Sequence, residues 1–128
     1  MKLLLDTYLL LWLADDSPRL KPAHRAYLAD PDHELLFSSA SIWEIAIKRM
    51  ARRRDFDVDP RLLRRSLLEE AFVELPITSE HCLAVAELPL IHKDSFDRLM
   101  LAQAKAEGIL FVTADEVLVR YPVTLKLI

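Results

Sequence analysis

The sequence predicts a three-layer α/β/α sandwich built on a central parallel sheet of about five strands, and three observations predict it. Short apolar runs such as "KLLL", "ELLF" and "ILFV" show no polar alternation, which is how strands buried on both faces read. Between these runs lie stretches whose apolar residues recur at helical spacing, so strands and helices alternate as in βαβ units. No repeat, low-complexity tract or long linker interrupts the pattern, and residues 1–128 read as one domain.

Each element follows from its local chemistry. "KLLLD" (2–6) is a buried strand, and "YLLLWLA" (8–14) a helical turn directly after it. "PAHRAYLAD" (22–30) is a helix with Pro22 in its first turn, where a missing N–H costs nothing. "ELLFS" (34–38) is the second strand and "ASIWEIAIKRMARR" (40–53) a long helix. "PRLLRRSLLEEA" (60–71) is a helix that leads into a strand at "FVEL" (72–75). "SEHCLAVAEL" (79–88) is helical with Thr78 or Ser79 as its cap. "FDRLMLAQAKAEG" (96–108) is the clearest helix, stopped by Gly108. "ILFVT" (109–113) and "TLKLI" (124–128) complete the strands.

Composition narrows the function classes. With 52% hydrophobic and 29% charged residues in 128, the chain can bury a full core. Gly108 is the only glycine, so phosphate-cradling loops of the G-x-x-x-x-G-K or G-x-G-x-x-G type are absent. Cys82 is single; no intramolecular disulfide is possible, which suits a cytoplasmic location, and a buried, inert thiol is expected. The run Leu9–Leu13 is too short to span a bilayer and lacks a cleavage-site pattern, so no membrane association is expected. Net charge is −3, yet "KRMARRR" (48–54) and "RLLRR" (61–65) gather eight of the 17 basic residues. Such a cluster reads as a solvated surface, a phosphate-contacting patch or a site for an acidic partner.

Four carboxylates stand out. Asp6 closes the first strand and Asp115 follows the strand "ILFVT"; either is a reasonable helix N-cap. Glu44 sits among Ile42, Trp43, Ile45, Ala46 and Ile47, with capping-box spacing to Ser41 and i,i+4 spacing to Lys48 as ordinary explanations. Asp97 lies in a first helical turn, where the helix dipole favours an acid. It nevertheless heads the stripe Met100, Leu101, Ala104 rather than the polar face assigned to Arg98 and Lys105. Taken jointly, the four can meet beyond the carboxyl ends of the strands, where ligands of open α/β sheets bind. Crowded carboxylates repel unless a cation neutralises them, and hard cations such as Mg²⁺ or Mn²⁺ take oxygen ligands. His24, His33, His81 and His92 are scattered, without zinc-site spacing. His92 lies near Asp94 and Asp97 within reach of a substrate, but a loop histidine usually reads as exposed. Ser38, Ser39 and Ser41 lack a G-x-S-x-G elbow.

The segments "LLLDTYLLLW" (3–12), "SSASIWEIAIK" (38–48), "LPLIHKDSFDRLMLAQAKAEG" (88–108) and "LFVTAD" (110–115) resemble, in order, those of PIN-domain proteins. The likeness is narrower still to VapC-type toxins of type II toxin–antitoxin systems. The resemblance implies a metal-dependent endoribonuclease, with the family's acids falling on Asp6, Glu44, Asp97 and Asp115. It implies Mg²⁺ or Mn²⁺ held by Asp6, Asp97 and Asp115, with Thr7 and Thr113 supporting the acids. Arg49, Arg52, Arg53 and Arg54 are candidates for RNA backbone contacts. It further implies a VapB-like antitoxin as partner, an RNA substrate and a homodimer. The chain departs from the pattern at Tyr8, where histidine is frequent, at Ser95, where proline is usual, and at "RMARRR", where a glycine is usual. Asp94 rivals Asp97 for the third acid, but Asp97 fits the spacing to "LAQA" better. The competing readings are a catalytically silent partner-binding module and a Mg²⁺-binding phosphotransfer domain. The latter calls for adjacent acids after strand one and a lysine after a late strand, which "LLLDTY" and "FVTADE" do not supply.

Overall fold

The computed structural model describes residues Met1–Ile128. Five strands, β1 (Lys2–Leu5), β2 (Glu34–Ser38), β3 (Val73–Leu75), β4 (Leu110–Thr113) and β5 (Leu125–Leu127), form one sheet in the order β3-β2-β1-β4-β5. Every neighbouring pair is parallel. In β1, Leu3 lies opposite Leu35 and Leu110, and Leu5 opposite Phe37 and Val112.

Side chains alternate across this sheet into two cores. Leu3, Leu5, Phe37 and Val112 pack on one face with Leu9, Ile45, Phe56 and Leu63. Leu4, Leu36 and Phe111 pack on the other with Met100, Leu101 and Leu118. Both faces of the central strands are therefore buried, which is the physical reason they read as unbroken apolar runs.

The helices supply the covering layers. α1 (Thr7–Ala14), α2 (Pro22–Leu28), α3 (Ser39–Met50) and α4 (Pro60–Glu69) precede β3, and α5 (Ser79–Val85) and α6 (Ser95–Glu107) precede β4. α3 stops earlier than the expected 53. Arg52 takes a left-handed φ of 59°, and the chain then turns through a 3₁₀ segment, Arg54–Phe56, that drives Phe56 fully into the core. α6 ends at Gly108, whose φ of 66° suits a residue without Cβ. None of the helices is long and apolar enough to cross a membrane.

Two expectations are corrected. Cys82 is exposed, not buried: the buried residue of α5 is its neighbour His81, and one step along a helix turns the next side chain about 100° away. Arg98 belongs to no polar face. α6 is buried continuously from Arg98 to Ala104, and the guanidinium donates to the carbonyls of Val85 and Pro89 and to Tyr121 Oη. Arg98 thereby fastens the loop that leads from α5 into α6.

Candidate metal centre

Strand order reverses between β1 and β4, so the crevice expected of an open parallel sheet lies beyond their carboxyl ends. Asp6, the residue after β1, is buried there and caps α1 by accepting from Leu9 N–H at 3.0 Å. Its other oxygen accepts from the hydroxyl of Thr113, the last residue of β4. Burial pushes the Asp6 carboxyl up to about 6, against the hydrogen bonds from Thr113 and the Leu9 and Ala114 backbones that hold it down.

Glu44 reaches the same end of the sheet from the second turn of α3. The helix is capped by Ser38, not Ser41, so the capping-box reading of Glu44 does not apply. The residue is 2% exposed and both carboxylate oxygens are engaged. Oε1 accepts from Thr7 Oγ1 at 2.5 Å and Oε2 from Lys48 Nζ at 2.5 Å. Thr7 also shares a 2.9 Å bond with Ser41 Oγ.

Asp94 caps α6, accepting from the N–H groups of Phe96 and Asp97. This frees Asp97, in the first turn, from capping duty. The Asp97 carboxylate accepts no hydrogen bond from the chain; its nearest basic group is His92 Nε2, at 3.7 Å. Burial first, then the neighbouring charges of Asp94, Glu44, Asp6 and Asp115, push it up to about 8. Asp115 caps the 3₁₀ turn Glu116–Arg120 through one oxygen, while its other oxygen lies 3.4 Å from His92 Nε2.

His92 is the site residue that sequence reasoning set aside. Tyr121 Oη, 29 residues away, accepts from its backbone N–H at 2.8 Å and fixes the loop. Ligand atoms of His92, Asp97 and Asp115 lie within 4.8 Å of one another. Its Nδ1 accepts from Asp94 N–H at 3.0 Å, so the neutral ring carries its proton on Nε2, toward the acids. In that tautomer His92 is a donor to the acids, not a metal ligand. The signal lay in its closeness to Asp94 and Asp97, but only the fold aims the ring.

The structure thus brings Asp6, Glu44, Asp97 and Asp115 to one crevice, with Thr7 and Thr113 bonded to Glu44 and Asp6. A carboxylate without donors among other acids is an oxygen-rich, electron-dense place, and its donor set fits a hard divalent cation. Arg49, Arg52, Arg53 and Arg54 line a separate cavity of about 330 Å³ with Asp57. Phe56 links the two regions: its ring lies 4.7 Å from Lys48 Nζ and 5.6 Å from Arg53 Cζ. Tyr8, the departure after Asp6-Thr7, donates to Asp55 at 2.7 Å instead of facing the acids. A cavity of about 710 Å³ between Leu28, Leu35, Leu63 and Phe72 contains none of these acids.

A family model described as the PIN domain matches residues 3–123. No curated protein sequence matches the chain. Among solved structures, VapBC2 from Rickettsia felis bound to a DNA fragment from its promoter is similar, with TM-score 0.74 and 16% identity over 98% of both chains. VapBC-1 from nontypeable Haemophilus influenzae follows with TM-score 0.64 and 18% identity over 99% of this chain and 98% of that one. VapBC-5 from Mycobacterium tuberculosis, of the VapBC family of toxin–antitoxin systems, gives 0.63 and 15% over 99% and 97%. At these identities the likeness is one of fold.

Proposed function

The chain belongs to the PIN-domain family, and from that premise we propose that it is a metal-dependent endoribonuclease, the toxin of a type II toxin–antitoxin pair. One observation carries the reading: Asp97, which is largely buried and accepts no hydrogen bond, stands among Asp6, Glu44 and Asp115 at the strand ends. Such a carboxylate is stable as a charge only beside a cation.

Asp6, Asp97 and Asp115 would hold Mg²⁺ or Mn²⁺. A bound divalent ion supplies charge stabilisation at a phosphate and lowers the pKa of water. The remaining roles fall to this chain's own groups. Asp6 is held rigidly by Leu9 N–H and Thr113, and Glu44 by Thr7 and Lys48, so neither reorganises during reaction. Glu44, with both oxygens taken by Thr7 and Lys48, shapes the wall of the crevice. His92 presents its Nε2 proton beside Asp97 and Asp115, where it can donate to a phosphate oxygen. Arg49, Arg52, Arg53 and Arg54 provide the cationic surface that a polyanion needs next to an acidic crevice. Backbone contacts of this kind give affinity, and RNA shape and unpaired bases give choice.

The similar folds occur in VapBC assemblies, which supports a VapB-like antitoxin here, and a homodimer is proposed beside it. Trp43, Ile47 and Met50, exposed along α3, offer apolar surface for one of these contacts.

The test is cleavage of total tRNA and rRNA by antitoxin-free protein with Mg²⁺ or Mn²⁺, with EDTA, and with the Asp97→Asn variant. Metal-dependent cutting lost in the folded variant is the expected result. Cutting that survives both EDTA and the substitution refutes the assignment, and no cutting with any metal favours a silent partner-binding module.

A further inference from the structure

Glu44 enters the acid cluster already neutralised. Lys48, one turn further along α3, sets Nζ 2.5 Å from Glu44 Oε2 and 3.8 Å from Asp94 Oδ2. Four-residue spacing places both side chains on one helix face, yet this is no surface bridge. The side chains of Glu44 and Lys48 are only 3% and 18% exposed. Two rings close over the ammonium, Phe56 at 4.7 Å and Phe96 at 5.8 Å from their centroids, adding cation–π attraction and keeping bulk water away. Trp43 stacks edge-on against Phe96 at 4.8 Å and holds that ring in place. Removing one partner of a desolvated pair leaves the other charge uncompensated. Lys48 is therefore a fixed cation of the crevice.

The opposite half of the cluster is built the other way. Asp97 accepts no hydrogen bond, and the free oxygen of Asp115 has only His92 beside it, at 3.4 Å. Asp97 lies beside Asp6 and Asp115, and no lysine or arginine is paired with any of these three acids. One half of the site holds a resident positive charge and the other half holds none.

We propose that Lys48 stands in the place of a second divalent cation, so that the chain binds one ion, on the Asp97–Asp115 side with Asp6, while Lys48 permanently neutralises Glu44. The inference rests on the metal-dependent reading above and deepens it. Glu44 is then a positioning residue, locked by Thr7 and Lys48, and not a metal ligand. A lysine cannot leave with product or be stripped by a chelator, so the wall that carries Glu44 keeps its shape whether or not metal is bound.

Metal counting tests this without reference to activity. Mn²⁺ bound per chain is measured at pH 7.5 by electron paramagnetic resonance of the free ion, on the full chain and on Lys48→Arg and Lys48→Met. The expected counts are one ion for the native chain, one for Lys48→Arg, which keeps the charge, and two for Lys48→Met. If Lys48→Met is unfolded without metal, by circular dichroism, the proposal expects Mn²⁺ to refold it; failure to refold at any Mn²⁺ concentration overturns the proposal. Two ions on the native chain or on Lys48→Arg, or one on folded Lys48→Met, overturns the role of Lys48 and leaves the nuclease reading standing. No ion on the native chain overturns both.

Discussion

Replacing Asp97 by asparagine should stabilise the metal-free protein, although the residue is assigned to the working site. Burial and the surrounding acids push Asp97 up to about 8 from an ordinary 3.8. At pH 7 the unfolded chain carries this carboxylate ionised, so folding must take up a proton. Lifting the group from 3.8 to neutral pH costs roughly 4 kcal/mol, at about 1.4 kcal/mol per pH unit. Asparagine avoids that cost and loses no hydrogen bond to the carboxylate, since none is made. Allowing about 1 kcal/mol for seating the amide, the variant should gain on the order of 3 kcal/mol, or roughly 10–15 °C in melting temperature for a domain this size.

The pH dependence gives the sharper check. An acid whose folded value is raised binds more protons in the native state, so native stability from this group is greatest below about 4 and declines as pH rises toward about 8. The gap between Asp97→Asn and the native chain should therefore be near zero at pH 4, widen through pH 7, and level off above 8. Thermal melts in EDTA across that range measure it. Saturating Mg²⁺ or Mn²⁺ should narrow or reverse the order, because only the native site gains binding energy, about 2.7 kcal/mol at one hundred times Kd. A variant less stable than the native chain in EDTA at pH 7, or a gap that ignores pH, refutes the reasoning.

Other perturbations separate scaffold from surface. Arg98→Met strips the carbonyls of Val85 and Pro89 and the Tyr121 hydroxyl of their buried donor; it should cost about 2–4 kcal/mol in urea unfolding, with faster proteolysis between residues 86 and 94. Glutamate at Arg52, Arg53 and Arg54 together should weaken RNA binding and lower the slope of log affinity against log salt by about 2, measured with a non-cleaving site variant. Antitoxin binding should persist in that triple variant; its loss would assign the arginines to the partner.

How much of this was legible in the sequence depended on whether the deciding contact was local. The central strands announce themselves because Leu3, Leu4 and Leu5 must satisfy two cores at once, and no polar residue survives in such a run. Asp6 and Asp115 are placed by the strands they follow, and the end of α6 by Gly108. His92 depends instead on the Tyr121 hydroxyl and on a loop strapped down by Arg98, contacts that no spacing rule reports. Arg98 itself reads as polar surface because its partners are mostly backbone carbonyls, which leave no side-chain signal. The early end of α3 escapes for a related reason. The segment Met50–Arg54 contains no glycine or proline, and the left-handed turn at Arg52 is stabilised by burying Phe56 four residues later.

Under the nuclease reading, α3 does more than cover the sheet. It carries Glu44 and Lys48 into the crevice and Arg49 to the edge of the arginine cavity. Five helical steps lead from Glu44 to Arg49, about 7.5 Å along the axis, and Phe56 braces Lys48 and Arg53 from below. The spacing between the acids and the nearest anchoring cation is thus set by a rigid element, while Arg52–Arg54 follow it on a turn pinned by a core phenylalanine. A chain of net charge −3 cannot attract a polyanion by its field as a whole. It has to do so by separating charge, with neutralisation inside the crevice and excess cation just outside it. Lys48, seated between the two, holds Glu44 at 2.5 Å, while Arg49 and Arg53 pair with Asp59 and Asp55 and Arg52 and Arg54, on the turn beyond α3, are left without an acidic partner and free for a polyanion.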